Sequence, residues 1–212
     1  MIPLPTRGKR PALRHSRWFF LALAIASLGY VTFSLVDAQL FQASENWRLN
    51  RAKNARQLSA VAESKVGLAS LPLRDPSQRI APALGSVLGR LEIGRIGIAA
   101  MIVEGTNGRT LRRAVGHVPG TALPGERGNI AITGHRDTFF RALRNIREDD
   151  EITLMTFNGS YRYRVDSMKV VEAEDTQVLN DSDESILTLV TCYPFYFVGP
   201  APKRFIVRAH RI

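Results

Sequence analysis

Cysteine is scarce in this sequence: its 212 residues include one, Cys192. A single cysteine excludes an internal disulfide framework, a multi-cysteine zinc finger and an iron–sulfur cluster. The sequence also lacks the zinc-binding HExxH pattern, the phosphate-binding P-loop, the serine-hydrolase elbow and the papain-type cysteine signature. No short period repeats along it, and an apolar share of 45% is too high for a wholly disordered chain.

Acidic residues are absent from positions 1–17, which hold five basic residues. Residues 37–89 hold seven basic and four acidic residues, and residues 90–212 hold seventeen and fifteen. The net charge of +10 therefore lies mainly ahead of the C-terminal region, which carries only +2. Nucleic-acid binding needs basic groups gathered on the folded surface, so we expect no nucleic-acid partner.

One uncharged apolar run, residues 18–36, follows the basic N-terminus. As a helix its nineteen residues span about 28 Å, close to the hydrocarbon thickness of a bilayer. Because Lys and Arg are retained on the cytoplasmic side, we predict a single-pass anchor with residues 1–17 as a cytoplasmic tail. The alternative is a cleaved signal peptide ending near Val36-Asp37-Ala38, but apolar regions of signal peptides are usually shorter.

The chain after the anchor changes composition twice. Residues 38–66 are polar and predict a helix or stalk, and residues 71–90 contain three prolines and two glycines, which indicates a linker. We therefore assign residues 37–89 to a stalk and linker and residues 90–212 to an extracytoplasmic globular domain.

The globular region reads as short strands separated by Gly, Pro and Asn, with helical pieces near 110–115 and 139–146. Asn158-Gly159 predicts a hairpin with a type I′ turn. Many short strands with few helices favour a closed barrel or a sandwich, a mainly β fold. The predicted strands are Leu91–Ile93, Ile98–Glu104, Asn129–Thr133, Glu151–Phe157, Ser160–Val171, Ile186–Cys192 and Arg204–Ile212.

Cys192 ends an apolar strand and precedes a Pro-containing loop, which places it at a rim of the fold. A lone cysteine in an exported domain is either buried and inert or a reactive thiol, and position leaves both interpretations open. A catalytic thiol needs an imidazole nearby, because a free thiol is only slightly ionised at neutral pH. His135 also follows a strand and is favoured over His117, but the pattern does not exclude His117.

Arg204 opens the final strand after a loop rich in Pro, Gly and aromatic residues. If the last two strands are antiparallel, Arg204 faces Cys192 across that loop. Its guanidinium cannot act as a base, but it can hold a carbonyl or a developing oxyanion. On the pattern alone, a surface arginine in the basic dipeptide Lys203-Arg204 is the favoured interpretation.

Three motifs in this order resemble those of the sortases, with class D the closest: Thr-Gly-His-Arg-Asp-Thr-Phe-Phe (133–140), Thr-Leu-Val-Thr-Cys-Tyr-Pro-Phe (188–195) and Ala-Pro-Lys-Arg-Phe-Ile-Val (201–207). The resemblance extends from about Leu91 to the C-terminus. It implies an eight-stranded β-barrel and a membrane-anchored cysteine transpeptidase that recognises an LPxTG-like signal. It also implies Cys192 as nucleophile, His135 as acid and base, and Arg204 as the oxyanion-stabilising residue.

The resemblance also implies partners, and it bears on whether the protein uses a cofactor. The partners are secreted proteins with a C-terminal sorting signal, an amine acceptor such as a peptidoglycan precursor or a pilin lysine, and the bilayer. We predict no required cofactor. Calcium is a candidate activator, because some sortases use it near the loop before the cysteine strand and residues 172–184 are acidic here. We also assign substrate binding to Thr191, Tyr193, Phe195 and His117.

Two other functions compete with this one. Another extracytoplasmic thiol enzyme, such as an L,D-transpeptidase or a peptidase, would require a different order of its His and Cys motifs. A non-catalytic anchored binding module would bury its cysteine, which would then resist a thiol reagent until the protein unfolds.

Overall fold

The computed structural model describes residues 12–66 and 81–212 of the chain. Its first element, α1 (Ala12–Val66), is a helix of 55 residues that includes the apolar run. The large apolar side chains between Trp18 and Val36 are exposed, and this part of the helix is long and apolar enough to cross a membrane. The same helix continues through the polar stretch interpreted above as a helix or stalk.

The globular region is a closed β-barrel in which the strands follow the order β1-β2-β3-β4-β7-β8-β6-β5. The mainly β, eight-stranded barrel expected from the resemblance is therefore confirmed. A short helix, α2 (Gly108–Arg113), joins β2 to β3, and 3-10 turns cover Gly94–Ile96, Arg141–Asn145 and Gln177–Leu179. The eight strands in the described part of the chain are β1 (Val87–Ile93), β2 (Ile98–Glu104), β3 (Val115–His117), β4 (Gly128–Thr133), β5 (Glu151–Thr156), β6 (Ser160–Glu172), β7 (Ser185–Tyr193) and β8 (Lys203–Arg211).

Alternation along the strands fills the barrel with apolar side chains. On β7, Leu187 and Leu189 point into the core, and on β8 Val207 and Ala209 do the same. Successive side chains of a strand point to opposite faces. The even-numbered residues of these two strands therefore lie on the outer face of the barrel.

Strand directions give the barrel two distinct ends. The pairings require β4 and β7 to finish, and β2 and β8 to begin, at the same end. We call this the mouth end. The β5–β6 hairpin lies at the opposite end, which we call the hairpin end.

The helical pieces predicted near 110–115 and 139–146 are α2 and a 3-10 turn over five residues. Two other local expectations were wrong. The pattern missed β3, because three residues are too few to show an alternation. Residues 87–90, predicted as linker, belong to β1, and a Cβ on Gly89 would lie 2.2 Å from the Met155 carbonyl oxygen, so this glycine permits close strand packing.

The β5–β6 hairpin forms where Asn158-Gly159 predicts it, but its turn is not type I′. Neither Asn158 nor Gly159 has the positive φ that a type I′ turn requires. Instead, Thr156 Oγ1 accepts hydrogen bonds from both of their backbone N–H groups, at 3.0 and 3.1 Å. Hydrogen bonds to the threonine side chain therefore close this turn, and the two left-handed residues that the sequence pattern suggested are not needed.

The polar half of α1 packs along the outside of the barrel. The side chain of Gln42 accepts a hydrogen bond from the Met101 N–H at 2.8 Å and donates one to the Arg113 carbonyl at 2.6 Å. Arg113 also holds Asp37 through two hydrogen bonds of 2.5 and 2.8 Å. Leu49 is fully buried in a small apolar cluster with β2. These contacts fix the helix against the barrel wall.

Candidate active site

The predicted nucleophile and the predicted arginine are direct partners in the sheet. Cys192 on β7 lies opposite Arg204 on the antiparallel strand β8, at the mouth end. Directly opposite residues of an antiparallel pair share a face, with Cβ atoms about 4.5–5.5 Å apart. Both side chains are partly exposed on the outer face. Thiol and guanidinium therefore face the same space.

His135 reaches the same place from the neighbouring strand. β4 runs parallel to β7, and Thr133 is the partner of Val190. The ladder continues past the strand end, because the Gly134 N–H donates to the Val190 carbonyl at 3.2 Å. Two residues further along each parallel strand are His135 and Cys192. Neighbouring strands are about 4.8 Å apart, so the imidazole and the thiol belong to one site.

The loop after Cys192 is fastened to the loop of His135 by Arg136. Its guanidinium donates to the carbonyls of Pro194, Phe197 and Gly199 at 3.0, 2.6 and 3.0 Å, and it lies 5.9 Å from the Phe197 ring. Arg136 thus connects the two strand ends that carry the thiol and the imidazole. The sequence interpretation missed this residue, although a charged residue directly after His135 was a signal of it.

Arg204 is positioned by its own loop. Its Nη1 donates to the carbonyls of Ala201 and Lys203, at 3.1 and 3.0 Å. A guanidinium has five N–H donors, and within the described residues the other two nitrogens of Arg204 have no hydrogen-bond partner. They are available to a carbonyl oxygen bound in front of Cys192.

Comparison with known proteins agrees with this arrangement. The sortase-domain family model matches residues 91–212, more than half of the chain. The chain belongs to the sortase family. Sortases are cysteine transpeptidases, and this sortase is 33% identical to sortase D of Bacillus subtilis over 197 residues, which cover 92% of this chain and 96% of that protein.

Solved sortases share the barrel. A sortase D5 transpeptidase of Clostridium perfringens is 33% identical with a TM-score of 0.56, and the match covers 61% of this chain and 81% of that one. Sortase C of Clostridium perfringens SM101 is 30% identical with a TM-score of 0.57, over 78% of this chain and 88% of that one. The resemblance read from the three motifs is therefore confirmed.

The residues assigned above to substrate binding have separate positions in this sortase. Thr191 is buried and donates to the Gly134 carbonyl at 2.7 Å, which supports the backbone before His135. Tyr193 and Phe195 pack with Phe205 at the mouth end, with ring centroids 5.3 to 6.4 Å apart. Substrate contacts of these three residues stay predictions.

His117 is not brought to the site of Cys192. It is 1% exposed, its Nδ1 lies 2.6 Å from a Glu104 carboxylate oxygen, and its Nε2 lies 2.9 Å from the Ala122 carbonyl oxygen. Both ring nitrogens are therefore engaged inside the protein. The assignment of His117 to substrate binding has no structural support, because the buried ring has no accessible edge.

The acidic loop does not fit a calcium site. Glu172 pairs with Lys203 at 2.9 Å, and Asp175 accepts from the Gln177 N–H at 3.0 Å. Asp181 accepts from the backbone N–H of Ser182 at 2.9 Å. Within residues 12–66 and 81–212, no group of three or more His, Cys, Asp or Glu side chains could hold a metal ion.

Three titratable groups outside the site have shifted pKa values. A side-chain hydrogen bond from Arg95 lowers the pKa of Asp150, and the same contact raises the pKa of Arg95. This pair fastens the first 3-10 turn to the start of β5. Burial raises the pKa of Tyr163 to about 12, and within the described residues its hydroxyl has no hydrogen-bond partner.

Proposed function

We propose that this chain is a membrane-anchored sortase that cleaves an LPxTG-like sorting signal and transfers the acyl group to an amine. The observation that carries the proposal is the direct pairing of Cys192 with Arg204, beside the strand end that carries His135. The three groups supply a nucleophile, an oxyanion partner and a proton carrier. Acyl transfer through a thioester needs these three functions.

The first half of the reaction forms the thioester. The Cys192 thiolate attacks the carbonyl carbon after the threonine of the signal, and the carbonyl oxygen becomes an oxyanion beside the Arg204 guanidinium. The C–N bond then breaks as protonated His135 gives its proton to the leaving amine. The C-terminal part of the signal departs with a new amino terminus, and the acyl group stays on sulfur.

The second half reverses these roles. An amine of the acceptor attacks the thioester carbonyl, and neutral His135 takes a proton from the attacking nitrogen. The second oxyanion forms beside Arg204, and the C–S bond breaks to regenerate the thiolate and the imidazolium. The acceptors that fit this chemistry are the amino group of a peptidoglycan precursor or a pilin lysine.

Transfer to an amine requires that water be kept from the thioester. The aromatic cluster of Tyr193, Phe195 and Phe205 packs on the core side of the strand ends, behind Cys192, and closes the barrel interior to water there. The loop held by Arg136 covers the adjoining part of the mouth end. The donors of the acyl group are secreted proteins, since the positive N-terminus predicts that the barrel is outside the cell.

The test is to incubate the full-length chain in detergent micelles with a signal peptide and an amine, and to follow products by mass spectrometry. We expect an acyl adduct on Cys192 and a ligated product. Cys192→Ala should give neither. Hydrolysis without ligation at saturating amine would contradict transfer, and full activity of Cys192→Ala would contradict the nucleophile. An EGTA arm in the same assay tests calcium, and we expect unchanged rates.

A further inference from the structure

The way α1 packs on the barrel sets which end of the barrel faces the membrane. A cavity of about 790 Å³ lies between α1 and the mouth end, lined by Leu35 and Gln39 of the helix and by Ile98 and His135 of the barrel. Further along the helix, Arg56 donates to the Phe157 carbonyl at the hairpin end. From Leu35 to Arg56 the helix rises about 32 Å. The mouth end is therefore nearer to the apolar run.

Three arginines without an ion-pair partner among the described residues lie at the mouth end, close to the end of the apolar run. Arg112, Arg141 and Arg144 are exposed and line the same cavity, in which Asp137 is the one carboxylate. Within the described residues, none of the three forms an ion pair. The helical segment that lines the cavity, 34–42, covers about 12 Å around the end of the apolar run, and the headgroup layer of a bilayer is about 5–8 Å thick on each side. The arginines thus reach the level of the phosphates.

An exposed apolar tip accompanies these arginines. Tyr196, Phe197 and Val198 are 77%, 44% and 95% exposed. The Arg144 guanidinium lies 5.6 Å from the Tyr196 ring, so the tip and the cavity belong to one surface. Aromatic residues next to arginines are typical of segments that enter a membrane interface.

We propose that the mouth end docks on the outer leaflet and binds anionic phospholipid there. Arg112, Arg141 and Arg144 contact lipid phosphates, and the tip of Tyr196, Phe197 and Val198 enters the interface. The proposal rests on the membrane anchor of the proposed function. It places the mouth end, which carries Cys192, at the membrane surface, where a substrate held in the same leaflet reaches it by lateral diffusion.

A measurement of depth in the membrane tests the docking. Because the chain has one cysteine, its replacement allows a fluorophore to be attached at a single chosen position. In a Cys192→Ala background, Val198→Cys and, separately, Ser160→Cys carry the same environment-sensitive fluorophore. Ser160 is exposed at the hairpin end and serves as the matched control. The full-length proteins are placed in nanodiscs that contain a lipid with a spin label on its headgroup. We expect quenching at position 198 to exceed that at position 160 by about threefold or more.

Lipid charge is tested in the same system. Nanodiscs of phosphatidylcholine alone are compared with nanodiscs that also contain phosphatidylglycerol, at low and high salt. We expect phosphatidylglycerol to increase quenching at position 198, and salt to reverse the increase. The triple variant Arg112→Gln, Arg141→Gln, Arg144→Gln should lose about half of that increase or more. The matched triple variant Arg127→Gln, Arg162→Gln, Arg164→Gln should keep it.

The outcomes separate this inference from the proposed chemistry. Equal quenching at positions 198 and 160 overturns the docking. Quenching at position 198 that changes neither with lipid charge nor in the first triple variant overturns the phosphate contacts. A chain that does not stay in the nanodisc overturns the anchor and the docking together. Thioester formation on a soluble peptide in detergent should be unchanged in the first triple variant with Cys192 intact, since none of its residues lies in the catalytic machinery.

Discussion

His135 and His117 both lie at the end of a short strand, but the fold gives them opposite surroundings. His135 is partly exposed at the mouth end, and within the described residues its ring makes no hydrogen bond. His117 is buried, with one ring nitrogen on Glu104 and the other near the Ala122 carbonyl and the Thr121 hydroxyl. The first imidazole can exchange protons with a substrate, and the second cannot reach one.

The difference shows how an identical side chain serves catalysis in one place and folding in another. A general acid needs a ring nitrogen within reach of the substrate. A buried polar ring needs both nitrogens satisfied, since an unpaired buried group costs about 1–3 kcal/mol. The hydrogen-bond partners of a histidine therefore distinguish the two roles. Residue type and position at a strand end do not.

The largest effect should follow from removing the accessible imidazole. We expect His135→Gln to lower kcat/KM by about 10²–10⁴-fold, because the glutamine side chain cannot carry the proton. The melting temperature should stay close to that of the wild type, since the ring makes no internal hydrogen bond. Steady-state ligation and differential scanning calorimetry measure the two quantities.

The matched control is His210→Gln. His210 lies on the barrel wall, where it is hydrogen-bonded to Asp166. Its replacement should leave ligation within about twofold, as for a surface change away from the reaction. Comparable losses in His135→Gln and His210→Gln would show that the loss is not specific to the histidine beside Cys192.

Removing the buried imidazole should act on stability instead. We expect His117→Ala to lower the free energy of unfolding by about 3–5 kcal/mol, because it leaves the Glu104 carboxylate buried without its partner. Replacing both His117 and Glu104 by leucine should recover much of this loss. Urea unfolding gives the free energies. A raised KM of the folded His117→Gln protein, with unchanged stability, would instead favour the predicted role in substrate binding.

Tyr163 extends the comparison to a buried polar group that has no hydrogen-bond partner among residues 12–66 and 81–212. Its pKa of about 12 in the folded protein exceeds the unfolded value of 10.0. The stability that the neutral phenol gives is complete below pH 10 and is lost as pH rises from 10 to 12, because the unfolded chain ionises first. Two pH units correspond to about 2.7 kcal/mol.

Tyr163→Phe should therefore lose less stability than the wild type between pH 10 and 12. At neutral pH it should match the wild type within about 1 kcal/mol, since the hydroxyl that it removes is unsatisfied. Urea unfolding at a series of pH values measures the difference. Parallel curves for the two proteins would mean that the phenol finds a partner in solution.

Much of the fold could be predicted from local pattern. The predicted bounds of six strands agree with the observed bounds to within about two residues. The seventh, β1, begins earlier than predicted, because Gly89 suggested a linker. The pattern also put Cys192 at the end of β7 and Arg204 at the start of β8. The family resemblance, rather than spacing, chose His135 over His117, because the hydrogen-bond partners of a histidine depend on strands that are distant in sequence.

Apart from the pairing of Cys192 with Arg204, the tertiary contacts could not be predicted. Nothing in the polar stretch 38–66 marks Gln42 or Leu49 as the residues that hold α1 on the barrel, since amphipathic spacing does not name the partner surface. Arg136 was missed for the same reason. Its three acceptors are backbone carbonyls about sixty positions away, and a carbonyl leaves no trace in a sequence.

Replacing Arg136 should give the smallest effect on activity. Arg136 positions the loops around His135 through backbone carbonyls and does not itself contact the substrate. We expect Arg136→Gln to lower kcat by about tenfold, or 1.4 kcal/mol, because the loops that carry Cys192 and His135 lose their connection. Arg136→Lys should recover part of this loss, since one ammonium can still donate to a carbonyl. Arg141→Gln, on the same loop and without an internal partner, is the matched control and should keep the wild-type rate. The readout that marks a positioning role is the split between the kinetic constants: a fall in kcat with KM nearly unchanged is expected, whereas equal losses in the glutamine and lysine variants would reduce Arg136 to a fold-stabilising residue.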